Sequence, residues 1–386
     1  MVVECRVGGG AVEKPAPRCW PGILMRAIGL MSGTSLDGVD AAWIETDGET
    51  IRGTSHAATL HYEPKLRADL RKLLDMAARL AADEALPDDA FLDDAFLRDV
   101  ERRLTEDHAI AVSLLGRGAD VIGFHGQTIL HAPARRQTWQ IGDAAMLARL
   151  TRTKVVYDFR KADVAAGGQG APLVPLFHAA LAAALPKPLL IVNIGGVANI
   201  TWLGAQGEIL ACDTGPGNGP LDDWVQRHTG QAYDENGALA AVGHVQTARL
   251  EMLLADPYFA RPAPKSLDRL SFSALVEQAV AGLNAPDGAA TLAAFTAMAI
   301  ASAPLPAPPL RVLVCGGGRK NATIMRHLQA QFSVPVASVE AVGWDGDALE
   351  AQCFGFLAVR SLRGLPLSVP STTGVPQPMP GGKLIG

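Results

Sequence analysis

No Cys-x-x-Cys pair occurs among the five cysteines, Cys5, Cys19, Cys212, Cys315 and Cys353. Neither a zinc site nor a disulfide framework is indicated, and a reducing cytoplasm is the compartment that fits. Positive charge is not in excess: 34 lysines and arginines stand against 39 aspartates and glutamates, a net charge of -5. That sets nucleic acid aside as the main partner, because duplex binding needs a basic surface. The nine histidines show no metal-ligand spacing. No apolar run is long enough to cross a membrane. The longest, AATLAAFTAMAIASA at 289–303, stops at the proline-rich PLPAPPL and reads as a buried helix. The first 25 residues lack the apolar stretch of a signal peptide and carry Glu4 and Glu13. Met25 stands immediately before the first convincing strand. Residues 1–25 therefore read as an N-terminal extension, either disordered or owed to a start codon assigned too early.

What is present is a globular composition, 48% hydrophobic and 19% charged, in a chain of 386 residues, long enough for two domains. Apolar runs that end in glycine-rich turns recur at Ala27–Leu30, Val121–Phe124, Leu189–Ile194 and Leu310–Cys315, and predict strands. Helical patterns separate them. Leu66, Leu70, Leu73, Ala77 and Leu80 mark one face of a helix from Pro64. A second helix is expected from about Asp89 to Leu115, ending at Gly116. Asn321 is placed to cap a helix holding Ile324, Met325 and Leu328. A last helix is expected from about Asp347 to Leu362, followed by a Pro/Gly-rich tail. The mixture means α/β. Two halves are visible, each opening with a strand and a Gly-rich turn.

Four such turns stand out. MSGTSLDGVD (31–40) has the look of an anion-binding turn, yet it lacks the lysine that a phosphate cradle usually carries. NIGGVANIT (193–201) reads as a β-hairpin tip whose glycines let backbone N–H groups approach an anion. CGGGRKN (315–321) lies between a buried strand and a helix, and DTGPGN (213–218) is the fourth. Taken singly, each is equally well an ordinary turn. In their order they resemble the acetate and sugar kinase/actin superfamily. That resemblance implies a two-lobed actin-like ATPase fold with duplicated ribonuclease H-like domains and a central cleft. The lobes would be residues 26–164 with 363–386, and residues 165–362 with the final helix returning to the first lobe. It implies ATP held by Gly33, Thr34, Ser35, Leu36, Asp37, Gly38, Val39 and Asp40 in the first turn. Gly195, Gly196 and Asn199 would serve in the second, and Gly316, Gly317, Gly318 and Asn321 at the adenosine. Backbone N–H groups, the Thr34 and Ser35 hydroxyls and a Mg²⁺ ion would then take the place of the missing lysine. Asp37, Asp40 and Asp213 are candidates to face the metal, with Asp37 and Asp213 as its expected ligands, directly or through water. Asp37 and Asp40 also suit ordinary turn and strand-edge roles.

Further strings narrow the resemblance: GFHGQT (123–128), QIGD (140–143), DFR (158–160), DVAAGGQGAPLVP (163–175), DTGPGN and DALEAQCFGFLA (347–358). Together they resemble the anhydro-N-acetylmuramic acid kinases of cell-wall recycling, from about Ile28 to the C-terminus. Gly219-Pro220 and Trp344 depart from the family's usual residues and bear on pocket shape. The resemblance implies a coupled reaction. Water attacks C1 of the anhydro-sugar while the bridging oxygen leaves and attacks the γ-phosphate, giving N-acetylmuramic acid 6-phosphate and ADP. A carboxylate base is needed. Asp163 matches the family's catalytic aspartate; its local alternative is a cap or turn residue. Asp158 reads as an ion-pair partner of Arg160. Glu350, three residues after Asp347, either completes a capping box or serves as a cleft carboxylate. Sugar contacts are implied for His125, Gln127, Thr128, Asp213 and Asn218, and His125 equally suits a satisfied core histidine. A homodimer is left open. The alternatives are another sugar or acetate kinase of this fold, or a nucleotide-binding interaction ATPase.

Overall fold

The structure is a computed structural model. It describes residues 22–33, 35–83, 95–267 and 271–386, the side chains of 78–83 excepted. Thr34, Cys5, Cys19, the Leu80 side chain and the expected helix start at Asp89 lie outside the described residues.

Among the described residues, twelve strands build two sheets. The first lobe's strands are β1 (Met25–Ser32), β2 (Gly38–Thr46), β3 (Ile51–His61), β4 (Val121–Ala132), β5 (Gln137–Ile141) and β6 (Val155–Tyr157). The second's are β7 (Leu189–Ile194), β8 (Val197–Leu203), β9 (Ile209–Pro216), β10 (Arg311–Cys315) and β11 (Val336–Ser338). A terminal strand, β12 (Lys383–Ile385), pairs with β6. Along the first sheet the order is β12-β6-β4-β1-β2-β3, and along the second β11-β10-β7-β8-β9. The central five strands of each follow one plan. An antiparallel meander comes first, and two further strands then add in parallel on the other side. This repeated topology is the duplication that the two strand-turn openings announced.

Helices cover the outer faces. Pro64–Asp83 and Ala95–Leu114 bury Leu66, Leu70, Leu73, Leu97, Val100 and Leu104 against the first sheet. The apolar run at 289–303 forms the helix Ala285–Ala301, almost wholly buried in the second lobe. Among the described residues no helix is long and apolar enough to cross a membrane.

Between the sheets lie two helices that each cross to the other lobe. Pro175–Leu181 follows β6 but packs on β8 and β9, while Leu349–Leu362 follows β11 but packs on β1, β2 and β4. Phe177, Phe354, Phe356 and Leu357 fill the space between with Ala27, Val121, Ile191 and Leu313 from the sheets. The approach is backbone to backbone. A Cβ on Gly29 would lie 1.6 Å from the Ala351 carbonyl oxygen, and one on Gly123 would lie 2.0 Å from that of Phe354. Only glycine permits it.

The segment Asp213–Pro216, expected as a turn, is the end of β9 instead. Gly215 takes φ 153°, which keeps the strand paired with β8 through a register shift at Ala198/Asn199. Glycine and proline at a strand end mimic a turn in sequence.

Candidate active site

The first glycine turn is fixed by the strand beside it. β1 and β4 run parallel with a register shift after Leu30. There the Ser32 hydroxyl donates to the Gly126 carbonyl at 3.0 Å, and the Gln127 amide donates to the Gly33 carbonyl at 3.2 Å. Gln127 is fully buried and its Oε1 has no partner. Thr128 Oγ1 accepts from Gln140 at 3.2 Å. Leu36 closes the turn with its N–H on Gly33 O and sits at φ 58°. Its side chain and that of Val39 are buried in the first core. A Cβ on Gly38 would meet Leu60 O at 2.2 Å. Leu36, Gly38 and Val39, expected at ATP, therefore hold the turn in place. Gly33 and Ser35 keep open surroundings. Asp37 forms an exposed ion pair with Arg67 at 3.2 Å. Asp40 accepts from Thr59 at 2.6 Å.

The second and third glycine turns meet. Gly195 and Gly196 form the tip between β7 and β8, and their carbonyls accept from the N–H groups of Gly217, Asn218 and Gly219. Asn218 thus stands at the glycine turns, where a Cβ on Gly317 would lie 3.4 Å from its Nδ2. It was expected at the sugar. Gly316 needs its φ of 75°, and a Cβ there would strike Asn193 Oδ1 at 2.3 Å; Gly318 packs on Ile194. Of the three, Gly317 alone is exposed. Asn321, expected at adenosine, uses its side chain to cap the helix Ala322–Gln331 through Thr323 N and Ile324 N. The Asn199 Oδ1 on β8 is buried without a partner.

Asp163 and Arg160 meet at Gly170. Asp163 lies in the short helix Lys161–Ala165 with 3% exposure, so it is neither an N-cap nor a surface turn residue. Its Oδ1 accepts from Gly170 N at 2.6 Å, and its Oδ2 accepts from the Thr373 hydroxyl at 2.6 Å and from the Ser368 hydroxyl. Arg160 donates through Nε to His125 Nε2 at 3.0 Å and through a terminal nitrogen to Gly170 O at 2.7 Å. Burial lowers the affinity of that guanidinium for its proton, and Glu350, Asp163 and Asp213 oppose the effect. Asp158 pairs with Lys383 at 2.7 Å rather than with Arg160. The reason is local: at φ 61° its backbone turns away, and β12 brings Lys383 alongside.

His125 was expected at the sugar. Its Nδ1 donates to Gly126 O at 2.7 Å and its Nε2 accepts from Arg160, so both ring nitrogens are occupied. Burial, then Arg160, holds it neutral, well below the usual histidine range. Asp213 is buried on β9, with Leu267 N–H donating to its Oδ2 at 2.8 Å. Burial pushes its carboxyl up to about 7 against that bond and the charges of Arg160 and Lys265. Asp213 is buried, whereas Asp37 is held in an exposed pair with Arg67. Among the described residues no group of three or more His, Cys, Asp or Glu is arranged for a metal.

Glu350 sits in the first turn of Leu349–Leu362, whose N-cap Ala348 has no side-chain cap. The capping-box alternative therefore does not hold. Its Oε1 accepts from Asn193 Nδ2 at 3.1 Å. It is open to solvent, yet surrounding protein and the Asp40 charge raise its carboxyl above the usual range. It stands between the Asp40 charge of the first lobe and Asn193 of the second. Asp40 is raised too, by burial first and then, against its bond from Thr59, by Asp347. Asn193 and Arg160 are the site residues that motif reading passed over. Both stood inside quoted strings, NIGG and DFR.

Two sheets of one repeated topology, with glycine turns from both lobes and a buried, hydrogen-bonded aspartate between them, define a two-lobed α/β protein of the actin-like ATPase class. The family model for anhydro-N-acetylmuramic acid kinase matches residues 25–385. The chain is 69% identical over 361 residues to an anhydro-N-acetylmuramic acid kinase of Acidiphilium cryptum, covering 94% of this chain and 98% of that one. It is 55% identical to one of Gluconobacter oxydans, covering 93% and 99%, and 52% identical to one of Rhodospirillum rubrum, covering 92% and 93%. The chain belongs to the anhydro-N-acetylmuramic acid kinase family, and its reaction class is ATP-dependent phosphotransfer to a sugar.

Proposed function

We propose that this protein converts 1,6-anhydro-N-acetylmuramic acid, ATP and water to N-acetylmuramic acid 6-phosphate and ADP, in the cytoplasm, as part of peptidoglycan recycling. The observation that carries the reading is the buried Asp163 carboxylate, held by Gly170 N–H and the Ser368 and Thr373 hydroxyls, in a chain of this family.

The chemistry asks for a base on one water. A carboxylate offers about four acceptor positions. Gly170 N–H and the Ser368 and Thr373 hydroxyls take three of those on Asp163, and the fourth, on Oδ1, is left for the attacking water. Asp163 takes the water's proton as the water's oxygen bonds to C1. The C1–O bond of the bridge breaks, and the released oxygen, still on C6, attacks the γ-phosphate. Arg160, held by His125 and Gly170, balances the negative charge around the base. Glu350, between the lobes, places the sugar or the water. Gly33 and Ser35 on one lobe and Gly195, Gly196 and Gly317 on the other meet the nucleotide through open backbone.

A Mg²⁺ ion fits this donor set at Asp40. That carboxylate keeps Oδ2 outside its bond from Thr59, an oxygen that suits a hard cation, directly or through water. When bound with ATP the ion would supply charge neutralisation at the phosphates. Asp37 and Asp213 are its further candidate ligands, directly or through water.

Incubation with ATP, Mg²⁺ and the anhydro-sugar in oxygen-18 water tests the proposal. One heavy oxygen in the sugar phosphate is the expected result. An unlabelled product would indicate a kinase acting on a free hydroxyl, and ATP turnover independent of any sugar would indicate an interaction ATPase.

A further inference from the structure

The C-terminal segment after Leu362 reads in sequence as a Pro/Gly-rich tail, yet it reaches into the site. Ser368 and Thr373 are buried, at 2% and 0% exposure, and both hydroxyls donate to Asp163 Oδ2 across 205 and 210 residues of chain. The segment is itself fastened. Thr373 O accepts from Gln169 N at 2.6 Å, and Leu367 N and Met379 N bond across an isolated bridge between Ser368 and Met379. The short helix Pro370–Thr373 packs on β9 of the second lobe. Gln169 also accepts from Ser266 of that lobe at 2.7 Å. Gly168 has no room for a side chain, since a Cβ there would lie 2.2 Å from Asp163 Oδ1 and 2.5 Å from Val375. The Asp163 carboxylate is thus enclosed between its own glycine loop and the C-terminal segment.

We propose that Ser368 and Thr373 are positioning residues for the catalytic carboxylate of Asp163. The inference rests on Asp163 being the base. Two hydroxyl donors occupy Oδ2 completely and leave the proton-accepting position on Oδ1. They fix the plane of the carboxylate, so that the one free lone pair keeps a single direction toward the water. Because the segment packs on β9, the geometry of the base is tied to the second lobe, which carries the second phosphate turn.

The test uses full-length Thr373→Val, Ser368→Ala and Thr373→Ser, with turnover measured across pH at saturating ATP and sugar. Loss of a donor should slow the proton-transfer step. It should lower the plateau by about tenfold and leave the KM for ATP near the wild-type value. Thr373→Ser, which keeps the hydroxyl, should restore the plateau. The same substitutions added to Asp163→Asn should cost nothing further, because there is no base left to position. Folded Thr373→Val and Ser368→Ala variants with unchanged kcat plateaus would overturn the proposal, whatever their melting temperatures. If Thr373→Val does not fold, Ser368→Ala carries the test alone. Failure of the underlying reading looks different: Asp163→Asn would itself turn over near the wild-type rate.

Discussion

Replacing Asp163 in two ways separates its chemistry from its bonding. Three donors point at its carboxylate: Gly170 N–H, the Ser368 hydroxyl and the Thr373 hydroxyl. Asp163→Ala strands all three in a site of 3% exposure. At about 1–3 kcal/mol for each unsatisfied buried group, the loss is roughly 3–9 kcal/mol. Typical domain stability is about 5–15 kcal/mol, so this variant should be poorly folded or insoluble. Asp163→Asn behaves differently. Its Oδ1 still accepts from Gly170, and the two hydroxyls can rotate to accept from its Nδ2. Each bond falls from the charge-assisted range of about 1.5–3 kcal/mol to the neutral range of about 0.5–1.5. Removing a buried charge returns a desolvation cost of similar size. The melting temperature should therefore move by only a few degrees. Turnover should fall by at least about 10²–10⁴-fold, the usual cost of losing a general base, with ATP affinity unchanged. Coupled ADP release, differential scanning fluorimetry and calorimetric titration with ATP measure the three quantities. An Asn variant that melts early yet releases ADP and sugar phosphate near the wild-type rate refutes the assignment and moves the search to Glu350.

Gly317→Val should weaken ATP binding by tenfold or more while the fold survives, because only Asn218 Nδ2, at 3.4 Å, lies near the new Cβ; unchanged affinity in a folded variant would remove this turn from the adenosine site. Gly318→Ala should instead destabilise the protein, since its Cβ would meet Ile194 at 2.3 Å. Asp213, lifted by burial to about 7, lies above the ordinary aspartate value of about 3.9. The folded protein keeps a proton that the unfolded chain has released, so this contribution is fullest below about pH 4 and is lost as pH rises toward about 7. Asp213→Asn lacks that dependence. The melting temperature of the variant relative to wild type should climb across the window, and a constant difference would count against the burial argument. The lobes should close around ATP and sugar to leave one water in reach. Small-angle scattering profiles that are identical with and without both ligands would argue against closure.

The sequence carried the elements of this fold well and their partners poorly, for a physical reason. Periodicity and glycine placement report what a segment does within its own few residues. Leu189–Ile194 is a strand in both readings because a short apolar run bounded by Pro188 and Gly195-Gly196 has no other economical conformation. Asn321 was recognisable as a cap because capping is local. Its side-chain oxygen is engaged in that cap. Asp158 and Arg160 look like a pair when two residues apart in sequence, yet the left-handed backbone at Asp158 sends one to Lys383 and the other to His125.

Gly38 and Leu36 sit inside a phosphate-turn motif but serve the strand and the core beneath it. A motif therefore conveys which residues travel together, not which of them touch the ligand. What was least legible is what the topology alone supplies. The crossing of the two middle helices brings Glu350 against Asn193 over 157 residues, and the return of the chain end brings Ser368 and Thr373 onto Asp163. A low-complexity look at the C-terminus hid the second of these. Proline at 370 and glycine at 374 mark a four-residue helix with a left-handed stop, a rigid piece suited to holding two hydroxyls in place. The sheets are duplicated, but the residues around the base come from connections that the duplication does not repeat. For this reason the fold could be anticipated from its two openings, while the surroundings of Asp163 could be seen only once the chain was closed.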